Sequence, residues 1–524
     1  MTEFRFSQPV LPALKEVVLT TPDRPVLLLP DPEQLDMLSV PVGNRSFLFG
    51  DVHDSSIEGK LFFNDNVAKS ATKGLVIMVH GAPPRPTRYT VCFDLLGALL
   101  AAGGFIAVSI KHHISGVLAA SDQVVKATRH VMNRFQTQFN LTGKPLALVG
   151  HSEGGAGVIL AGERIPKEVG EHFSSVRAIV ALAPTPPGTV KGSCQALLVL
   201  EGTHDADSPW GGASLRAFHD AIVPSKYFGW MHGCNHSNHL KAQIVTDNND
   251  GNAYVVFNAF SDEQSRVIRE AQNVASANYA AMFLLWQLSN GGKYRPVFSG
   301  EETVKWKQSE LSETAMNALV QRFKFFPRKS DESDAMPLGI FPKDSKFSGF
   351  YEFDFSAVDP KIGPDYAPLN LLYYTMRFEK AACFLVRWDK NKKPSPIISI
   401  TCSNPELTEI SASAIEFDAI QVAENKTTPP RLKVRLAIVH HYGTTQWVDV
   451  FIEPSLWLYA TPFTITPGVD TISSSMLCTV RVPLSRFALI IPAHKKSMQM
   501  LIISFEPSAT SGLIAITGFR ASKY

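Results

Sequence analysis

Residues 146–157 read LALVGHSEGGAG, an apolar run that ends in the pentapeptide GHSEG at residues 150–154. The run is predicted to be a buried strand and the segment after it a helix, with a sharp turn between them. The glycines two residues before and two residues after the serine would let the strand and the helix approach closely. This context indicates that Ser152 stands on a strained turn at a helix N-terminus, where developing negative charge is stabilised, and acts as a nucleophile.

Strands and helices alternate from about residue 74 to residue 293, after a predicted pair of antiparallel strands in residues 46–63. Continuous apolar runs suit strands that are buried on both faces of a parallel sheet. The predicted strands are GLVIMVHG (74–81), FIAVSIKHH (105–113), PLALVG (145–150), VRAIVALAP (176–184), QALLVLEG (195–202) and KYFGWMHG (226–233). The predicted helices cover residues 91–104, 117–139, 156–165, 212–222 and 261–293. The alternation predicts an α/β fold with a doubly wound, mainly parallel sheet.

The chain has 524 residues, which is too many for one ordinary core, so we expect more than one domain. Residues 1–293 are predicted to form the α/β domain with an N-terminal strand extension. Residues 294–345 are rich in charge, proline and glycine and are predicted to connect the domains. Residues 346–524 carry short strands separated by turn residues, which predicts an all-β sandwich.

Composition argues against several classes of function. The formal net charge is +2, from 50 basic and 48 acidic side chains, whereas a dedicated nucleic-acid binder carries a basic excess. The 6 cysteines are scattered without a CxxC pair, and no spacing of ligand residues indicates a metal site, so no metal and no cofactor are predicted. We see no signal-peptide pattern and no apolar run long enough to span a bilayer. A cytoplasmic protein is expected, although a secreted mature form would show the same pattern.

A serine nucleophile needs a histidine base, and the base needs a carboxylate that orients it. In a sheet of this type the order along the chain is serine, acid, histidine. The acid is expected after the strand QALLVLEG, where residues 203–209 read THDADSP. Asp205, three residues past Gly202, is the first choice, and Asp207 is the alternative acid.

The base is expected after the last predicted strand, where residues 229–240 read GWMHGCNHSNHL. His232 falls at the end of the strand, and His239 lies deeper in the next segment. His236 lies in the loop itself and is therefore the predicted base.

An oxyanion intermediate needs two backbone N–H donors. One is predicted to be the N–H of Glu153, directly after the nucleophile. The other is expected in the loop VHGAPPRPTRY (79–89), where Pro83 and Pro84 have no N–H and Ala82 is the natural donor.

Access to the predicted site should be open, because the segment TPPGTVKGSC (185–194) leaves no room for a helical cap, unless residues 1–60 or the C-terminal domain cover it. Tyr89 and Trp210 could line a substrate pocket, and simple packing explains both of them equally well.

Four segments in this order, VIMVHGA, LVGHSEGG, LEGTHDADSP and GCNHSNH, resemble the α/β-hydrolase superfamily. Within it, the chain is similar to bacterial esterase-like hydrolases of the dienelactone-hydrolase and polyester-hydrolase group, whose members often carry G-x-N-H around the base. The likeness covers about residues 74–293, and the double aspartate departs from the family pattern. It implies that the nucleophile, acid, base and oxyanion donors of the family carry over onto Ser152, Asp205, His236, Glu153 and Ala82.

These residues predict a serine hydrolase that cleaves carboxylic esters, small or lipid-like, through an acyl-enzyme on Ser152, as carboxylesterases and lipases do. One alternative is an amidase or peptidase that uses the same triad. Another is a binding or structural protein that retains a hydrolase domain without turnover. The last strands of the chain are similar to those of galactose-binding-like jelly rolls, which implies a carbohydrate contact; contact with a protein, or support of the hydrolase domain, is the alternative for residues 346–524.

Overall fold

The structure is a computed structural model of the chain. It describes residues 27–29, 42–49, 57–64, 72–81, 92–111, 115–202, 205, 212–231, 236, 239–240, 262–289, 292–298, 304–306, 325–330, 335–337, 350–353, 383–388, 397–401, 412–422, 432–440, 443–444, 447–452, 478–487, 498–505 and 512–523. Within these residues the chain forms a nine-stranded mixed sheet, a six-stranded and a five-stranded antiparallel sheet near its C-terminal end, and two short two-stranded sheets.

The strands of the described residues are numbered in chain order. They are β1 (Leu27–Leu29), β2 (Val42–Phe49), β3 (Ile57–Asn64), β4 (Leu75–Val79), β5 (Ile106–Lys111), β6 (Leu146–His151), β7 (Ala178–Leu182), β8 (Val190–Lys191), β9 (Ala196–Gly202), β10 (Ala221–Ile222), β11 (Ser225–Met231), β12 (Val304–Trp306), β13 (Phe325–Ser330), β14 (Ala335–Pro337), β15 (Phe350–Phe353), β16 (Cys383–Trp388), β17 (Ile397–Thr401), β18 (Ala412–Val422), β19 (Leu432–His440), β20 (Gly443–Thr444), β21 (Val448–Ile452), β22 (Cys478–Pro483), β23 (Met498–Phe505) and β24 (Gly512–Lys523).

The helices are numbered in the same way. They are α1 (Asp94–Ala102), α2 (Val117–Phe139), α3 (Glu153–Glu168), α4 (Gly212–Asp220), α5 (Asp262–Ser289) and α6 (Arg295–Phe298), with short 3-10 helices at Gly292–Tyr294 and Leu484–Phe487. Among the described helices, none is both long enough and apolar enough to cross a membrane.

The large sheet has nine strands in the spatial order β13-β11-β9-β7-β6-β4-β5-β3-β2. Its six central strands, from β11 to β5, run parallel to one another. Parallel neighbours need a crossover connection, and the intervening helices supply it. At the edges β13, β3 and β2 pair antiparallel, so the predicted antiparallel pair of the N-terminal region extends the sheet at one side.

Successive side chains of a central strand pack into different helix layers. In β4, Val76 and Met78 pack in one core cluster with residues of α1 and α5. Leu75, Ile77 and Val79 pack in a second cluster with residues of α2, α3 and α4. All five side chains are fully buried. Burial on both faces explains the unbroken apolar run, since burying such a side chain contributes about 1.5–3 kcal/mol.

The α/β class with a mainly parallel sheet is confirmed for this part of the chain. Helix α2 has the predicted bounds, and α3 begins at Glu153, three residues earlier than predicted. The sheet differs at one edge, because β13 pairs antiparallel with β11, which was predicted to be the last strand. Strand β13 reads FFPRKS and has no apolar run after its two phenylalanines. Its proline is tolerated because an edge strand leaves one side without sheet hydrogen bonds.

Two antiparallel sheets lie in residues 335–523. One contains β14, β15, β16, β24, β18 and β22, and the other contains β17, β23, β19, β20 and β21. Buried apolar side chains occur in both, among them Phe417 of β18 and Leu436 of β19. Face-to-face packing of the two sheets as a sandwich stays a prediction, and so do the domain boundaries near residues 293 and 345.

The carboxyl ends of the parallel strands meet at one edge of the large sheet. Strand β4 is followed there by His80 and Gly81, β6 by Ser152, β9 by Asp205 and β11 by His236. In open α/β sheets, ligands bind in the crevice outside this edge.

Candidate active site

Ser152 lies in the turn between β6 and α3. Its φ of 54° and ψ of −124° fall in a region that residues with side chains rarely adopt. Its backbone N–H donates to the carbonyl oxygen of Leu182 in β7 at 2.9 Å, so the neighbouring strand helps to hold the turn. A hydrogen bond to the sheet therefore holds the strained backbone of Ser152. This backbone conformation places the Ser152 hydroxyl at the first turn of α3.

The two glycines that flank Ser152 at a distance of two residues are required by close approach. A Cβ on Gly150 would overlap the carbonyl group of Gly154, where α3 turns back against β6. A Cβ on Gly154 would overlap the carbonyl oxygen of His80 and lie 2.8 Å from that of Val79. These neighbours are backbone atoms and cannot move aside as a flexible side chain can. The predicted reason for the glycine pattern, contact between strand and helix, agrees with this packing.

Ser152, His236 and Asp205 are joined by two hydrogen bonds. His236 Nε2 lies 3.0 Å from Ser152 Oγ, and His236 Nδ1 lies 2.7 Å from Asp205 Oδ2. Asp205 is 2% exposed, while Ser152 and His236 are each 8% exposed. The carboxylate is thus shielded, whereas the hydroxyl and the imidazole keep some contact with solvent. This order of hydroxyl, imidazole and carboxylate has the geometry of a nucleophile, a general base and an orienting group.

Two further buried histidines lie near His236, one against its ring and the other against the first. The ring centroid of His151 is 5.0 Å from that of His236, and the ring of His239 is 6.0 Å from that of His151. His151 Nε2 is 2.8 Å from the backbone carbonyl oxygen of His236. His239 Nδ1 is 2.8 Å from the hydroxyl of Ser276 in α5. These contacts connect the loop that carries His236 to the turn before Ser152 and to α5.

Burial keeps both of these neighbouring histidines neutral. The pKa of His151 is well below its usual value, first because the ring is buried and then because His236 and His239 lie beside it. Burial likewise lowers the pKa of His239 to about 3, with a smaller contribution from His236. Since both rings stay uncharged at neutral pH, His236 is the member of this group that can take up a proton.

The carboxyl group of Glu201 lies behind Asp205. Glu201 is the next-to-last residue of β9 and is fully buried. Its Oε1 accepts a hydrogen bond from the Gly202 N–H at 2.9 Å, and its Oε2 is hydrogen-bonded to the hydroxyl of Ser214 in α4. Its carboxyl group also lies within hydrogen-bonding reach of the Asp205 carboxyl group. Burial, and then the neighbouring charge of Asp205, raise the pKa of Glu201 well above its usual value.

Glu153 connects the turn of Ser152 to the start of α2. Its carboxylate accepts hydrogen bonds from the hydroxyl of Ser115 at 3.0 Å and from the N–H of Gly116 at 2.8 Å. As the first residue of α3, Glu153 has a backbone N–H that no carbonyl within the helix can accept. This N–H follows Ser152 directly, which is the position that an oxyanion donor needs.

The second predicted oxyanion donor, Ala82, lies outside the described residues. The residue before it, Gly81, is close to the nucleophile, since a Cβ on Gly81 would lie 2.8 Å from the Cβ of Ser152. The other predicted residues outside the described part are Asp207, Tyr89, Trp210 and His232. Their roles therefore stay predictions.

Sequence reasoning missed the contacts made by Glu201, His151 and His239. Glu201 stands at the end of the apolar run QALLVLEG, but fully buried glutamates are rare, so its position alone gives no signal of burial. The G-x-S-x-G pattern allows any residue at the position of His151, so it carries no signal there. Within the described part of the chain, no cluster of His, Cys, Asp and Glu side chains is arranged to hold a metal ion.

Comparison with known proteins agrees with the fold. Residues 76–288 match a family model described as the alpha/beta hydrolase family. No curated protein matches the chain significantly. Residues 76–288 are therefore similar to the alpha/beta hydrolase family, the mainly parallel sheet fits an α/β-hydrolase domain, and the match supports hydrolase activity.

Proposed function

We propose that the chain is a serine hydrolase that cleaves carboxylic esters through an acyl-enzyme on Ser152. The observation that carries this proposal is the pair of hydrogen bonds that link Ser152 to His236 and His236 to Asp205. The family match over residues 76–288 supports hydrolysis as the class of reaction. The resemblance to bacterial esterase-like hydrolases supports an ester as the substrate.

In the first half of the reaction, Ser152 Oγ attacks the ester carbonyl carbon while His236 Nε2 takes the hydroxyl proton. The carbonyl oxygen gains the negative charge of the tetrahedral intermediate. The backbone N–H groups of Glu153 and Ala82 are proposed to donate hydrogen bonds to it. The intermediate then collapses, the bond to the alcohol oxygen breaks, and the protonated His236 gives its proton to that oxygen.

In the second half, water attacks the acyl group on Ser152, and His236 again accepts a proton and then returns it to the serine oxygen. The products are a carboxylic acid and an alcohol, and the residues return to their starting protonation states. Asp205 accepts the hydrogen bond from His236 Nδ1 throughout, which fixes the tautomer and stabilises the imidazolium. Because His151 and His239 are neutral, they add no positive charge that would oppose this imidazolium.

Hydrolysis of matched ester and anilide substrates tests the proposal. The wild type and Ser152→Ala are compared on p-nitrophenyl esters of increasing acyl length and on the corresponding p-nitroanilides. We expect ester turnover by the wild type and a loss of at least about 10³-fold in Ser152→Ala. Preferred turnover of the anilides would instead support an amidase or peptidase. Equal rates for the two proteins would overturn the role of Ser152.

The proposal extends to residues 346–524, where two antiparallel sheets support a β-sandwich. We propose that this part contacts a carbohydrate or a protein. Binding of the full chain to a panel of immobilised polysaccharides tests the first of these, and loss of binding in a chain that ends before residue 346 would locate the contact.

A further inference from the structure

Glu201 and Asp205 place two carboxyl groups side by side in the interior of the domain. They are four residues apart in the chain, with exposures of 0% and 2%. The two carboxyl groups lie within reach of a hydrogen bond and of each other's charge. Two ionised carboxylates have only acceptor atoms, so a hydrogen bond between them requires that one of them carries a proton.

The partners of each group decide where this proton lies. Asp205 accepts a hydrogen bond from His236 Nδ1 at 2.7 Å, and a charge on Asp205 is stabilised further when His236 becomes an imidazolium. Within the described part of the chain, the partners of Glu201 besides Asp205 are neutral, namely the N–H of Gly202 and the hydroxyl of Ser214. Asp205 is therefore the better site for the negative charge, and Glu201 is the better site for the proton.

We infer that Glu201 is a neutral positioning residue that donates a hydrogen bond to Asp205 and so holds the carboxylate against His236. The inference rests on the proposed serine-hydrolase function for its catalytic consequence. The position of the carboxylate fixes the orientation of the imidazole, and small errors in such an orientation reduce the rate. Glu201 touches no reacting atom in this arrangement and acts through Asp205.

The groups around Glu201 agree with a single shared proton. Asp205 is the ionisable group in contact with it, and His236 lies on the far side of Asp205. Ser214 from α4 and Gly202 from β9 contribute neutral dipoles. Ionisation of Glu201 would place a second negative charge beside the first in a region without bulk water, which is strongly unfavourable. The raised pKa of Glu201 has the same cause.

A matched pair of variants tests the hydrogen bond. Glu201→Gln and Glu201→Met are both uncharged and similar in volume, and only Gln keeps a donor for Asp205 and an acceptor for Gly202. We expect kcat for ester hydrolysis to be about tenfold or more lower in Glu201→Met than in Glu201→Gln, with KM little changed. Equal kcat values in the two folded variants would overturn the inference.

The charge state of Glu201 has its own readout, which is the titration of the His236 ring by NMR. If Glu201 is neutral, Glu201→Gln leaves the pKa of His236 where it is in the wild type. If Glu201 is ionised, the substitution removes a negative charge near the ring and lowers the pKa of His236. A lowered pKa of His236 would therefore overturn the inference.

The pH dependence of the unfolding free energy tests the charge state of Glu201 without any measurement of activity. Glu201 has a raised pKa in the folded state, so between the unfolded value near 4.5 and the folded value the native protein holds one more proton than the unfolded chain. Its contribution to stability is therefore present at low pH and is lost as the pH rises above about 4.5. Relative to Glu201→Gln, the folding equilibrium constant of the wild type should fall as the pH rises above about 4.5, by at most about tenfold per pH unit, for as long as the folded protein keeps the proton. If the stabilities of the wild type and Glu201→Gln depend on pH in the same way, the shared proton is contradicted.

These readouts separate the inference from the proposed function. If the wild type hydrolyses no ester but the pH curves and the His236 titration behave as expected, the serine-hydrolase function fails and the shared proton stands. If the wild type hydrolyses esters but the Gln and Met variants are alike and the pH curves are parallel, the proposed function stands and the role of Glu201 fails.

Discussion

Acidification should destabilise the domain through His239, which is buried beside His236. The ring is hydrogen-bonded to Ser276 in α5, and its Nε2 has no hydrogen-bond partner among the described residues. Burial first and then the neighbouring His236 lower the pKa of His239 from 6.5 to about 3, while Asp205 opposes the shift. The folded protein therefore resists protonation of this ring, whereas the unfolded chain accepts the proton readily.

The direction and the size of the effect follow from this difference. A histidine with a depressed folded pKa contributes its full stability above about pH 6.5, and the contribution is lost as the pH falls toward 3. Each pH unit in this window costs about 1.4 kcal/mol of unfolding free energy. Between pH 7.5 and pH 5, His239 alone should therefore reduce the free energy of unfolding by about 2 kcal/mol.

Urea denaturation of the full chain at pH 7.5 and pH 5 measures this contribution. His239→Gln does not titrate and can still hydrogen-bond to Ser276, so it should lose about 2 kcal/mol less than the wild type on acidification. Ser276→Ala is the control, because it removes the hydrogen bond and keeps the titrating ring; its stability should be lower at both pH values with the wild-type pH dependence. The same pH dependence in His239→Gln and the wild type would refute the reasoning.

Three further predictions concern the site itself. Gly154→Ala should destabilise the domain by about 1–3 kcal/mol or prevent soluble expression, because its Cβ would overlap a backbone carbonyl group. Thermal unfolding measures this loss of stability. A variant as stable as the wild type would contradict the close packing at Gly154. Asp205→Asn should lower kcat for esters by about 10³–10⁴-fold while Asp207→Asn keeps activity, and the reverse result would exchange the two roles. His151→Leu should lower kcat by about tenfold with KM unchanged, because the carbonyl oxygen of His236 loses its hydrogen bond to the His151 ring. A change in KM alone would exclude a positioning role for His151.

The central part of the fold could be predicted because two periodicities differ clearly in the sequence. Apolar runs such as LVIMV at residues 75–79 fit only strands that are covered on both sides, and residues 117–139 show helical spacing over their whole length. The edge strand β13 could not be predicted in this way. It is short, contains Pro327, and its pairing with β11 depends on contacts between segments far apart in the chain.

Some residues of the candidate site could likewise be predicted from the sequence, and others could not. Ser152, Asp205 and His236 could be predicted because each follows a strand whose end the sequence marks, and the fold brings these ends to one edge. The contact of Glu201 with Asp205 could not be predicted, since a glutamate at the end of a strand is usually exposed and the tertiary structure sets it against Asp205. The same holds for His151, whose ring reaches the backbone of His236 from a position 85 residues earlier in the chain.

Reaction with a fluorophosphonate probe tests the central claim most directly, because such probes modify a serine only when a base activates it. The wild type and Ser152→Ala are treated with the probe, and the modified residue is located by peptide mass spectrometry. We expect one adduct, on Ser152, in the wild type and none in the variant, with both proteins folded by circular dichroism. A folded wild type that remains unmodified, or an equal adduct in Ser152→Ala, would contradict this claim.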